Sequence, residues 1–307
     1  MRDRNIGTLA VGEIGLGAMP LSIEGRPDEA RAIATIHAAL DAGVTLIDTA
    51  DSYYRPGEEP GHNELLIARA LAGYAGSRDS VHVTTKGGRA RGADGSWLVL
   101  DSPAALKRAC EDSLARLGVE SIALYQLHKP PLGADWDETL GVLDALHTEG
   151  KIQRIGLSNV DATQISRAHE LLGDRLASVQ NRYSPEVLFD ASIGSAADVR
   201  AELRLCEELG LAFLPWSPLG GISRSSLDGP SGQRSDDRYA AFHRIAAAHG
   251  VSPQRVCLAW LLATSPVVIP IPGASRPETI RDSAAASTVI LSAAELAELD
   301  GSGNPPR

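Results

Sequence analysis

Apolar positions along the chain fall into two alternating rhythms. Short runs rich in Val, Ile and Thr occur at residues 14–17, 45–49, 81–86, 122–128, 152–158, 177–181, 211–217 and 267–271. Each is followed by a longer stretch whose apolar residues recur every three to four positions, the spacing of an amphipathic helix. These stretches begin near Asp28, His62, Pro103, Asp137, Asp161, Ala196, Pro253 and Pro277. Ser102 before Pro103, Ser252 before Pro253, and Asn159 or Asp161 before the fifth stretch read as N-caps, because their side-chain oxygens can accept from free first-turn amides. Gly43, Gly118, Gly150, Gly173 and Gly210 stand where five of the helices should stop.

Eight strand and helix pairs in one unbroken chain predict an α/β protein, a (β/α)8 TIM barrel. Parallel strands need crossover connections, and the crossover helices cover the outside of the closed sheet. The whole of 1–307 reads as one barrel domain. The rival, an open doubly wound sheet, should begin with a GxGxxG phosphate-binding turn. Residues 14–19 read IGLGAM and lack the third glycine. Three additions are expected: an N-terminal hairpin over 5–13, an extra helix over 237–249, and a terminal helix over 292–300 that opens with a Ser292-x-x-Glu295 capping box. Residues 221–236 (GISRSSLDGPSGQRSD) read as a mobile loop leaving a strand end where barrel ligands bind.

Charge and composition narrow the partners. The 307 residues carry 29 basic and 39 acidic side chains, a net charge of −10, so neither nucleic acid nor an anionic membrane suits the surface as a whole. A local basic pocket for a phosphorylated cofactor remains compatible with that balance. No run approaches 18 uncharged apolar residues, which argues against a membrane-spanning helix, and Gly12 and Glu13 interrupt the N-terminal apolar stretch as no secretory signal should. Cys110, Cys206 and Cys257 are too few and too scattered for a disulfide framework or a CxxC site, so free thiols in a reducing, cytoplasmic compartment are expected. The eight histidines form no HxH or HExxH pattern, and no metal is expected.

In a barrel the chemistry sits where strands finish. The second run ends IDTADSYY, with Asp48 at its inward end and Tyr53 in the loop beyond; the third ends TTKGG with Lys86, and the fourth YQLH with His128. Singly, each has an ordinary structural use as a cap, a surface aromatic, a solvated cation or a core imidazole. Together they complement one another. A phenol with a pKa of about 10 is a weak acid at neutral pH unless a cation such as Lys86 favours its phenolate. Asp48 can hold that lysine, and His128 can hydrogen-bond a reacting oxygen. The set suits protonation of an oxygen that gains negative charge, and it contains no hydroxyl or thiol nucleophile paired with a base.

IDTADSYY, TTKGG, LYQLH, GLSN (156–159), QNRYSP (180–185), LPWSPLGG (214–221) and IPIPGASRP (269–277) together resemble the aldo-keto reductases, in family order and spacing from about residue 5 to 283. The resemblance implies an NADP(H)- or NAD(H)-dependent barrel that reduces an aldehyde or ketone to an alcohol. In it Tyr53 would be the general acid, Lys86 and Asp48 would tune it, and His128 would orient the carbonyl. It also implies that Ser158, Asn159 and Gln180 hold the nicotinamide carboxamide while Trp216 stacks on the ring. Ser217, Leu219 and the loop from Gly221 would take the pyrophosphate, Gly273, Ser275, Arg276 and Thr279 the adenosine end, and Gly17 would lie on the cofactor side. An amide ligand needs the donor and acceptor that Asn159 and Gln180 offer, and Trp216 presents a flat apolar face.

Arg276, with Ser275 and the first-turn amides after Pro277, suits a 2′-phosphate, so NADP(H) is the expected cofactor. Ser275 stands where the family commonly has lysine and Thr279 where it has glutamine or arginine, which leaves NAD(H) open as well. Ala123 replaces a usual aspartate, and Asp282-Ser283 a usual Glu-Asn pair. Tyr54, Trp97 and Trp136 are the expected substrate contacts, with Arg89 and Arg91 brought towards the mouth by a loop over 87–98. The substrate is a small carbonyl compound, with sugars, pyridoxal, simple aldehydes and a specialised metabolite all open. The alternative is a cofactor-binding regulatory subunit of low turnover.

Overall fold

The computed structural model describes residues 1–192, 194–221, 225–228 and 239–301; most of the loop expected over 221–236 and the first residues of the helix expected over 237–249 lie outside them. Seven strands form a parallel sheet: β3 (Leu16–Gly17), β4 (Leu46–Asp48), β5 (His82–Gly87), β8 (Leu124–Leu127), β9 (Ile155–Ser158), β10 (Leu176–Gln180) and β11 (Ala212–Phe213). They pair in the order β11-β10-β9-β8-β5-β4-β3, each beside its predecessor in the sheet. Helices cross between them: α1 (Glu29–Asp41), α2 (His62–Ala72), α3 (Pro103–Leu117), α4 (Trp136–Thr148), α5 (Ala162–Leu172), α6 (Pro185–Phe189) and α7 (Ala196–Leu209); α8 (Ala240–His249), α9 (Pro253–Thr264), α10 (Pro277–Ala284) and α11 (Ala293–Gly301) follow the last strand. Successive helices touch from α1 to α5, and α10 returns against α1. This is a curled α/β sheet of the barrel type.

Caps set where the helices start. Asp28, Ser102, Asp135, Ser195 and Ser252 each accept from an amide three residues on, and Asp161 rather than Asn159 opens α5 with a reciprocal box to Gln164. Outward-facing Tyr125, Leu127, Leu157, Val179 and Phe213 pack against the helices, while Leu46, Leu124, Leu214, Ile269 and Ile271 fill the interior. Below that interior, the antiparallel pair β1 (Asp3–Ile6) and β2 (Leu9–Gly12) contributes Ile6, Leu9 and Val11 to the same cluster.

Two expectations change. Residues 267–271 do not form a strand of their own. The segment makes parallel bridges through Val268 to Phe213 and through Gly273 to Gly17, so it lies between the two ends of the sheet. Pro266, Pro270 and Pro272 lack amide protons, so the ladder is incomplete: the Pro270 and Pro272 carbonyls accept from Gly15 N at 2.9 Å and Gly17 N at 3.0 Å on one side, and on the other Phe213 N donates to Val267 O and Ile269 N to Phe213 O, both at 2.8 Å. Arg4 supplies donors to the carbonyls of Leu262, Ser265 and Val268. A Cβ at position 17 would lie 2.6 Å from the Ile271 carbonyl oxygen, so this close approach needs Gly17.

The expected loop over 87–98 is instead a hairpin, β6 (Arg89–Arg91) paired with β7 (Trp97–Val99), turned at Gly95 with a positive φ of 86°. It stands at the outgoing end of β5 and forms one wall of the site.

Candidate active site

Alternation along the strands decides which side chains look inward. Asp48, Thr84 and Lys86, Gln126 and His128, Ser158, and Ser178 and Gln180 all sit in inward register near the C-terminal strand ends. Gly156 leaves room there, since a Cβ on it would lie 2.7 Å from Gln126 Cγ. Lys86 is fully buried. Its Nζ donates to Asp48 Oδ2 at 2.6 Å, to the Thr49 carbonyl at 2.8 Å and to the Tyr53 hydroxyl at 3.2 Å. Asp48 Oδ1 accepts from Gln180 Nε2 at 2.8 Å and Gln126 Nε2 at 3.2 Å, and Gln126 also donates to Thr84 Oγ1. The buried carboxylate is therefore both ion-paired and hydrogen-bonded, as a charge removed from water must be.

His128 meets the Tyr53 ring edge to face, with centroids 5.7 Å apart, and Ser52 Oγ lies 3.2 Å from its Nδ1. Burial, then the cations Lys86, Arg89 and Lys129, hold the His128 pKa well below the usual 6.5, so the imidazole is neutral at neutral pH. Burial also pushes the Tyr53 phenol above its usual 10, and Lys86 offsets only part of that rise. Lys86 does favour the phenolate, but desolvation outweighs it and the phenol keeps its proton. Burial alone would lower the Lys86 pKa, but Asp48 and Tyr53 raise it overall, so the ammonium stays charged.

A cavity of about 650 Å³ opens beside these groups. Asp48, Tyr53 and His128 line one end with Arg89 and Trp97, and Ser275, Arg276, Thr279, Asp282 and Ser283 line the other. Gly17, Ser158, Asn159, Gln180, Trp216, Ser217, Leu219, Gly221 and Gly273 lie along it as well. Asn159 and Ser217 turn the chain at strand ends with φ of 60° and 48°, uncommon values for residues with a Cβ. Asn159 Nδ2 donates to the His128 carbonyl and to Ser158 Oγ. Trp216 is held by its own amide on the Asn181 carbonyl, and its indole Nε1 is buried without a partner among the described residues.

Two expected substrate contacts lie elsewhere. Trp136 is the first residue of α4, because Asp135 is the cap, and its ring packs on the main core outside the cavity lining. Tyr54 is buried, also outside the lining, and its hydroxyl accepts from Arg91 N at 3.0 Å, which ties the hairpin to the Tyr53 loop. Gln126, Thr84 and Ser52 escaped the sequence reading, although the same inward register that marks Lys86 and His128 also marks Thr84 and Gln126. A second buried set supports the tyrosine loop from behind: Glu64 accepts from Thr85 Oγ1 at 2.6 Å and from Arg116 Nη1 at 3.1 Å. Asp51 lies near it, its carboxyl pushed well up by burial and by Glu64.

Among the described residues no helix is long and apolar enough to cross a membrane, and no three His, Cys, Asp or Glu side chains group as metal ligands. Residues 13–304 match the family model described as Aldo/keto reductase family. The pyridoxine 4-dehydrogenase of Escherichia coli is 34% identical over 96% of this chain and 96% of its own. The 6-dehydroglucose reductase of Novosphingobium aromaticivorans is 35% identical over 92% and 88%. A crystal structure of an aldo-keto reductase from Klebsiella pneumoniae in complex with NADPH superposes with a TM-score of 0.73 at 28% identity, covering 100% of this chain and 97% of that one. With its family match spanning nearly the whole sequence, the chain belongs to the aldo/keto reductase family.

Proposed function

We propose that the protein reduces an aldehyde or ketone to an alcohol with a nicotinamide dinucleotide, NADPH in preference to NADH, and that Tyr53 is the general acid. One observation carries this reading: the Tyr53 hydroxyl lies 3.2 Å from the buried Lys86 ammonium, itself 2.6 Å from Asp48, in the wall of a cavity shared with His128. A dehydrogenase and a reductase among the relatives, and the NADPH complex among the solved structures, support the same reading.

The residues present fit the dinucleotide. The unpartnered Trp216 indole and the Ser158, Asn159 and Gln180 cluster suit a nicotinamide carboxamide and ring. Ser217, Leu219 and Gly221 line the stretch for a pyrophosphate, and Ser275 and Arg276 precede α10, whose first-turn amides favour an anion. A bound reduced nicotinamide supplies the hydride to the carbonyl carbon. As the carbon–oxygen π pair moves onto oxygen, Tyr53 passes its phenolic proton to that atom, giving the alcohol. Lys86 stabilises the phenolate that forms, and Asp48 keeps Lys86 charged and in place. Neutral His128, with Nδ1 engaged by Ser52, has its second ring nitrogen left for the carbonyl oxygen. Residues 267–273 act as the eighth stave of a barrel that takes in the whole of 1–307 as one unit. The buried free thiols of Cys110, Cys206 and Cys257 support a reducing, cytoplasmic setting.

The test is rapid mixing of the protein–NADPH complex with a panel of reactive aldehydes. Loss of reduced nicotinamide with matching alcohol formation is expected. Tight NADPH binding without oxidation across the panel would assign a low-turnover regulatory subunit instead.

A further inference from the structure

Among the described residues, Arg89 is a cation in the cavity wall without a counter-ion. It starts β6, directly after the strand that carries Lys86, and lines the catalytic end of the cavity. Its guanidinium carbon lies 5.0 Å from the centre of the Trp97 ring, and that ring meets Tyr53 edge to face with centroids 6.5 Å apart. Its Nε is buried with no hydrogen-bond partner among the described residues. The neighbouring cations differ. Lys86 is compensated by Asp48, and Arg91, stacked on the same indole at 4.1 Å, is paired with Glu24. Burial lowers its pKa, and the titratable groups that act on it are the neutral Tyr53 phenol and the Arg91 guanidinium, with no carboxylate among them. Lys129 adds a further positive charge near His128. The mouth is thus electropositive in a chain whose net charge is −10.

An uncompensated, partly desolvated guanidinium is a costly arrangement that a ligand oxyanion relieves, and its planar fork matches a carboxylate or phosphate. We infer that the substrate is a carbonyl compound bearing an anionic group, a carboxylate or a phosphate monoester, and that Arg89 binds that group while the carbonyl faces Tyr53 and His128. Trp97 then serves two contacts, as the platform that aims Arg89 and as the apolar wall beside the carbon chain between carbonyl and anion. This deepens the reading of the protein as a reductase and rests on it.

Two matched pairs test it. 4-Carboxybenzaldehyde is compared with its methyl ester, and pyridoxal 5′-phosphate with pyridoxal, as kcat/KM ratios of anionic to neutral member. We expect a ratio of about ten or more in at least one pair, because a charge-assisted hydrogen bond is worth about ten- to a hundredfold. The pair that shows it identifies carboxylate or phosphate as the source of the oxyanion. Arg89→Met should bring that ratio to near one, and Arg89→Lys should retain part of it. A parent ratio near or below one in both pairs, or a ratio unchanged by Arg89→Met, overturns the inference. Turnover of the neutral members without anion preference overturns it alone and leaves the reductase reading intact. If no carbonyl is turned over, the reductase reading falls, and the anion site is then decided by equilibrium binding of the same pairs to parent and Arg89→Met protein.

Discussion

The two ends of the cavity are built on opposite plans. At the catalytic end the side chains are nearly out of water, with Lys86 0%, Asp48 2%, His128 6% and Tyr53 7% exposed. Asp48 and Lys86 neutralise each other, and two glutamine amides bond Asp48 further. At the other end Gly273 and Arg276 are exposed, and between the two the Trp216 indole nitrogen has no partner. Chemistry that stabilises developing charge needs dipoles fixed before the reaction, because reorienting them would add to the barrier. A site that captures a large ligand needs donors still free to bond it. Asp48, Lys86 and Tyr53 are therefore satisfied within the protein, whereas Arg89 above them and the open end are satisfied by what they bind.

The closed end breaks most severely at its acid. Tyr53→Phe removes only a hydroxyl and should leave cofactor binding at the open end intact, while carbonyl reduction falls by about 10²–10⁴. Single-turnover rates and NADPH titration on the same preparation separate the two. Turnover within about threefold of the parent would remove Tyr53 from its role.

Lys86→Met acts on the same end through stability as well as rate. It leaves Asp48 buried with two amide donors and no cation, an arrangement that typically costs about 3–5 kcal/mol. Denaturant unfolding should show that loss, and Lys86→Met with Asp48→Asn should recover part of it by deleting the uncompensated charge. If the double variant is as unstable as the sum of the two single ones, the pair is not the coupled unit described here.

At the open end Arg276→Ala should weaken NADP(H) by about tenfold, the lower part of the range for a charged hydrogen bond, because Ser275 beside it adds no charge and the guanidinium is exposed. NAD(H) affinity should stay nearly constant in the same titrations. Equal weakening of both cofactors would move Arg276 off the 2′-phosphate, and a parent that prefers NAD(H) would end the assignment.

The two ends also differed in how readily the sequence disclosed them. Asp48, Lys86 and His128 end apolar runs, where period-two alternation and the rule of strand ends place a polar group inward. The same alternation marks Thr84 and Gln126, but these were overlooked because an uncharged side chain inside a run looks like part of the strand. Towards the open end, 267–271 has the apolar content of a strand, yet three nearby prolines remove the amides that would build its ladder. The hairpin over Arg89–Arg91 and Trp97–Val99 was hidden because its alternating positions hold arginines; its Asp94-Gly95 turn was the signal available. Trp136 follows the His128 loop in sequence, and only the Asp135 cap turns it into the helix and the core.

A smaller effect lies in the outer layer that joins the two ends. Asn181 follows β10 and bonds both backbone groups of Val160, just beyond Ser158 and Asn159, while its carbonyl holds the Trp216 amide. Its Nδ2 also donates to Glu202 Oε2 at 2.7 Å from α7, and burial, only partly offset by that bond, pushes the Glu202 pKa from 4.5 up to about 7. Below pH 4.5 the carboxyl is protonated in both folded and unfolded chains and contributes no slope. Between pH 4.5 and 7 the unfolded chain releases its proton while the folded one keeps it, so stability falls as pH rises; above about 7 the penalty is complete. Glu202→Gln keeps an acceptor for Asn181 and removes the titration. Since the group is partly exposed and screened, the effect should be about 1 kcal/mol, or roughly 2–4 °C in the unfolding midpoint. Measured at pH 5 and pH 8, the parent should lose that much relative to Glu202→Gln as pH rises. Parallel profiles would show that Glu202 ionises without cost and that this seam does not respond to pH.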